Sequence, residues 1–154
     1  MISQLLGTTI SAITFISYVV FITLKYGILP SISDSYYKHN SKLLFFLFML
    51  GVGLPITLMA TSGLMFFSGA LFILCGCAPA FKRNKYSLED DVHKIGALGG
   101  ICLLLCYFTI THFYLPIILA ISIGFPVYLL NPKNRTFWLE IISFIILITG
   151  LYVK

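Results

Sequence analysis

Ser33-Asp34 in one polar connection and Asp90-Asp91-Val92-His93 at the end of another are the residues of this chain whose types could do chemistry. A carboxylate–imidazole pair serves as general acid/base, proton relay or metal ligand. Ser33 becomes a nucleophile if a base reaches its hydroxyl. Ser33, Asp34 and His93 are therefore the catalytic candidates. The competing reading is structural. Asp34 then caps a short helix, and Asp90 and Asp91 complement the positive start of a helix. That reading is the stronger, because polar residues at span ends are common and only those deep in a membrane are functional by default.

Other chemistry-bearing residues point elsewhere. His112 falls on the opposite side of the chain's layout from His39 and His93, and no His-x-x-x-His spacing exists, so neither a metal nor another cofactor is expected. A two-His site with Asp34 or Asp91 is the weak exception. Cys75, Cys77, Cys102 and Cys106 all lie within apolar runs, where a thiol packs as a small hydrophobe. Gly96 and Gly100 form a GxxxG pattern, which lets two helix backbones approach closely. An internal contact is favoured over a dimer face, since His93 shares that side. No glycine-rich phosphate loop and no nucleophile elbow is present.

The elements that must position these residues are membrane helices. The 154 residues are 59% apolar and 10% charged, with a mean hydropathy of +1.01. Soluble domains carry about 25% charged residues. So short a chain has too little polar surface to cover itself in water. Six apolar runs fall at about 5–24, 42–59, 64–81, 93–111, 115–130 and 136–153. Each is just long enough to cross a ~30 Å hydrocarbon core as a helix, and none alternates as a strand would. The expected fold is all-α: a single domain over 1–154, an integral membrane bundle of six transmembrane helices with short loops and antiparallel hairpins 2–3 and 4–5. Pro55 and Pro126 lie inside runs and predict kinks. Ser87 reads as the cap of the fourth helix, with Asp90 at its third position. The first run lacks a basic leader and a cleavage site, so it reads as a retained span.

Charge sets the orientation. Nine of the ten Lys/Arg fall in the connections after runs 1, 3 and 5 or within two residues of them, as Lys42 and Lys94 do, and only Lys154 lies elsewhere. By the positive-inside rule those connections are cytoplasmic and both termini lie outside, as in a bacterial inner (cytoplasmic) membrane. The net charge of +5 is spread over short loops mixed with carboxylates, which excludes a nucleic-acid reading and favours membrane lipids as the partner. Lys82, Arg83, Lys85 and Arg135 are candidates for lipid headgroup phosphates. No run carries a charge deep in its core, which argues against a proton pump or a charged channel filter.

Pro30-Ser31-Ile32-Ser33-Asp34, with Phe45 and Phe46 early in the next run, and His93-Lys94-Ile95-Gly96-Ala97 opening the fourth resemble a known family. Together with six short spans, they look like the DRAM/FRAG-type six-span membrane proteins and their bacterial relatives of unknown function. The resemblance covers runs 1 to 4 and singles out Ser33, Asp34, His93 and Gly96. The family continues with Thr-Gly after the acid, whereas this chain has Ser35-Tyr36. The resemblance implies a membrane protein linked to lipid organisation, without a specified reaction.

Three functions follow as expectations. The first is a non-catalytic protein that binds or organises lipid through a polar cytoplasmic mouth. The second is an intramembrane lipid hydrolase or acyltransferase using Ser33, Asp34 and His93. The third is a small pore, transporter or holin-like protein, disfavoured by spans without polar lining. A second copy or another membrane protein is a further possible partner.

Overall fold

A computed structural model of the chain describes residues 2–38, 42–78, 89–130 and 134–154, with the backbone alone for Glu89 and Asp90. Among the described residues there is helix and no strand, as expected where the chain must pair its own backbone groups. Helix α1 (Gln4–Tyr26) starts at Ser3, whose hydroxyl accepts from the Leu6 N–H at 3.2 Å. It ends at Gly27, whose φ of 75° favours glycine. A short helix α2 (Ser35–Lys38) follows. Then come α3 (Leu43–Leu58), α4 (Gly63–Cys77, capped by Ser62), α5 (Glu89–Ile110), α6 (Leu115–Leu119), α7 (Phe125–Leu130) and α8 (Arg135–Val153).

The helices sit where the apolar runs predicted them, with two differences. The connection after α1 contains α2, and the fifth run is not one regular helix. A π-turn over Ala120–Gly124 joins α6 to α7. Pro126 accounts for it: its ring would collide with the carbonyl of Ser122 and it donates no N–H, so the preceding turn widens. The end of the third expected span (79–81) and the Ser87 cap lie outside the described residues.

Three helices are long and apolar enough to cross a membrane: Gln4–Tyr26, Asp91–Ile110 and Arg135–Val153. Leu43–Leu58, Gly63–Cys77 and Leu115–Leu130 are apolar but shorter. The outer surface is also apolar. Leu24, Ile110 and Leu130 are 83%, 67% and 81% exposed, amid many other exposed aliphatic side chains. A soluble monomer rarely shows such a continuous patch; a membrane-associated protein needs it.

Inside, α3, α4 and α5 pack side by side, α1 lies on α3, and α8 on α1. Small residues allow this. Gly53 and Gly69 face each other so closely that a methyl on either would strike the other's carbonyl. Aromatic rings fill the centre: Phe144 stacks on Phe15 at 4.9 Å and meets Phe72 at 5.3 Å, and Tyr18 stacks on Phe48 at 4.0 Å. Buried hydroxyls close their bonds across helices, Ser11 to the Val52 carbonyl at 2.9 Å and Ser68 to the Gly100 carbonyl at 2.7 Å.

The two ends of the bundle differ. At one, Gln4 donates to the Leu151 carbonyl at 2.7 Å, Thr61 bonds the Tyr107 hydroxyl at 3.2 Å, and the Lys154 ammonium lies over the Tyr107 ring at 3.8 Å. At the other, residues 28–34 meet the starts of α5 and α8. The described charged residues Asp34, Lys94 and Arg135 thus lie at a common end, the charged end.

Candidate functional site: a wedge between α5 and α8

Both α5 and α8 start at the charged end, so they run parallel. At their far ends they touch. A methyl placed on Gly150 would stand 2.6 Å from Pro116 and 2.8 Å from the Phe108 ring. Towards their N-termini they part, leaving a cavity of about 540 Å³. His93, Lys94, Ala97, Leu98 and Ile101 form one wall; Thr136, Leu139, Glu140 and Ser143 form the other. Ser31, Ser33 and Asp34 close the charged end, with Tyr36, Tyr37 and Phe45 beside them. The wall from His93 to Ile101 covers about 12 Å of helix. Polar groups gather at one end of the cavity and aliphatic side chains continue beyond it. Leu98 is 61% exposed, so the wedge reaches the apolar outer surface.

A hydrogen-bond network ties the polar end together. Ser33 Oγ is 2.8 Å from His93 Nε2 and donates to Glu140 Oε1 at 3.3 Å. Glu140 Oε2 accepts the Ile32 N–H at 2.5 Å. His93 Nδ1 is 3.2 Å from Cys75 Sγ on α4. The Phe137 N–H donates to the Pro30 carbonyl at 3.0 Å, a second tie between the loop and α8. Asp34 is held locally: its carboxylate accepts from Ser31 Oγ at 3.0 Å, and its own N–H donates back to that oxygen at 3.1 Å. Among the described residues, neither Asp34 nor Glu140 forms an ion pair with Lys or Arg.

Two proton arrangements satisfy the network. In one, His93 Nδ1–H points at the Cys75 sulfur and Nε2 accepts the Ser33 proton, which raises the nucleophilicity of Ser33; the single Ser33 O–H is then not available to Glu140, whose contact with Ser33 needs a proton on the Glu140 carboxyl itself. In the other, Cys75 S–H donates to Nδ1, Nε2–H donates to Ser33, and Ser33 donates to Glu140. Ser33 is then a relay held in place, and the network is structural.

The structure brings Ser33 and His93 together and sets Asp34 on the same cavity, immediately before α2. Gly96 and Gly100 face α4: a methyl on Gly96 would lie 2.7 Å from the Cys75 backbone nitrogen, and one on Gly100 would lie 2.7 Å from the Phe72 ring. That contact carries His93 to Cys75. Of the proposed headgroup residues, Lys82, Arg83 and Lys85 lie outside the described residues, as does His39. Arg135 lies over the Tyr128 ring at 4.3 Å and does not line the cavity. His112 bonds the Tyr114 hydroxyl at 3.1 Å, away from the network. Cys102 and Cys106 are exposed on the outer surface. No group of three or more potential metal ligands occurs among the described residues.

Sequence reasoning missed Glu140 and the Cys75–His93 contact. Glu140 is the sixth residue of α8, near the start of that helix rather than deep in it, and it faces the cavity. The signal was available, because Glu140 is the one carboxylate inside any of the six expected runs. Nothing in the sequence could single out Cys75 from the other thiols.

No family model matches this chain, and neither does any curated protein or solved structure.

Proposed function

We propose that this is a polytopic membrane protein whose six apolar helical segments cross the bilayer, and that it binds a membrane lipid in the wedge between α5 and α8. The observation that carries this reading is the cavity itself. It has hydrogen-bonding groups at the charged end, aliphatic walls beyond, and an opening at Leu98 onto the apolar surface. This is the polarity profile of one lipid, headgroup then chain. The charged end is cytoplasmic and both termini lie outside, on the distribution of Lys and Arg. The likeness to the DRAM/FRAG-type family agrees with a lipid-linked role. Photo-cross-linking with a diazirine-bearing phospholipid tests it: adducts on Leu98, Ile101 or Leu139 are expected, and adducts spread evenly over the exposed helix faces contradict it.

One observation favours a second reading, a serine hydrolase or acyltransferase acting on a lipid ester. Ser33 Oγ lies 2.8 Å from His93 Nε2, within proton-transfer reach. Ser33 Oγ would attack the ester carbonyl carbon while its proton passes to His93. Collapse would return that proton to the departing alcohol and leave a seryl ester, which water or a second alcohol would then cleave. A fluorophosphonate probe decides: labelling of the wild type, lost in both Ser33→Ala and His93→Ala, supports an enzyme, and no labelling of the wild type excludes it.

A further inference from the structure

We infer that the lipid held in the wedge carries a primary ammonium headgroup; the inference rests on the lipid-binding reading and adds which lipid. The polar end of the cavity is built from acceptors. Glu140 and Asp34 both line it, and both are fixed against the same loop: Glu140 by the Ile32 N–H and the Ser33 hydroxyl, Asp34 by Ser31. Their partners among the described residues are all neutral. Two carboxyl groups lining one low-dielectric space, with neutral partners, make a wall that would favour a positive charge brought alongside.

An anionic headgroup at that depth would face these two carboxyls, with Lys94 at the rim the only Lys or Arg among the described residues lining the cavity. A cationic one complements the two carboxyls. The kind of cation follows from the remaining groups. Each carboxylate accepts more bonds than the loop gives it, and hydroxyls of Ser31 and Ser33 lie alongside. Tyr36 lines the same cavity at 3% exposure, and its buried phenol oxygen has no partner among the described residues. Such a wall rewards a headgroup that brings N–H donors. A primary ammonium brings three; a quaternary ammonium brings none. Lys94 lines the exposed rim of the cavity, where it suits the phosphate of an ethanolamine phospholipid rather than its amine.

The test uses the full chain in nanodiscs holding equal parts of phosphatidylethanolamine, phosphatidylcholine and phosphatidylglycerol, with the lipid it carries identified by native mass spectrometry. Phosphatidylethanolamine is expected to exceed each of the others by about tenfold, the effect of one charge-assisted hydrogen bond. Glu140→Gln is expected to reduce that preference, read as the ratio among the lipids the variant still carries, and Asp34→Asn gives the same reading should Glu140→Gln fail to fold. Enrichment of phosphatidylglycerol, or equal retention of all three, overturns the headgroup inference and leaves the wedge. A wild type that retains no lipid overturns the wedge reading itself.

Discussion

His93 holds the polar end of the wedge because it bonds on both sides, to Ser33 of the loop and Cys75 of α4. Removing it leaves partners on two elements without it, and an unsatisfied buried group costs about 1–3 kcal/mol. His93→Ala is therefore expected to lower the thermal midpoint of the detergent-solubilised protein more than His112→Ala, which breaks only an exposed turn contact. Equal midpoints would mean the network contributes nothing. Ser33 and His93 should also be coupled: in a double-mutant cycle with alanine the two losses should fall short of additive by about 1 kcal/mol, measured by denaturation, whereas strict additivity would separate them. The sequence pointed to Ser33, Asp34 and His93 through polarity at span ends. It ranked Asp34 with His93, because residue type alone does not reveal that Ser31 holds the Asp34 carboxylate while Ser33 and Glu140 share the network.

At the scale of elements, the site depends on how closely α4 and α5 approach. Gly96 lies against backbone and Cβ atoms of Cys75, which cannot swing aside as the Phe72 ring beside Gly100 can. Gly96→Ala is thus expected to separate the helices and weaken the Cys75–His93 contact, at about 1–3 kcal/mol. Gly100→Leu should also destabilise, by pressing on Phe72. Unchanged melting of both variants would mean that this side of α5 meets lipid rather than α4. Helix positions were legible because apolar runs bounded by polar turns dictate them in a membrane. The GxxxG spacing likewise suggested the close contact. The wedge was not legible. It arises because α5 and α8 converge at Phe108, Pro116 and Gly150 and diverge below, and residues so far apart in sequence leave no local pattern. The π-turn was hidden for a related reason: Pro126 announces a disturbance without specifying whether the helix kinks or widens.

For the whole molecule, the apolar outside follows from the composition, and the starts of α5 and α8 share one end with residues 28–34. Single cysteines placed at Lys38 and Ser62 in a background lacking the native thiols should react with a membrane-impermeant maleimide from opposite faces, Ser62 from outside intact cells; labelling of both from one face would refute the six-crossing topology. The central claim concerns the wedge, and its most direct test is to fill it. Ala97 lines its middle and is small, so Ala97→Trp should occupy the space where a lipid chain would lie while leaving Ser33, His93 and Glu140 in place. Native mass spectrometry of wild type and Ala97→Trp purified side by side in mild detergent is the measurement: the wild type is expected to carry a bound lipid that the variant lacks, and equal lipid retention by the two folded proteins would contradict the account.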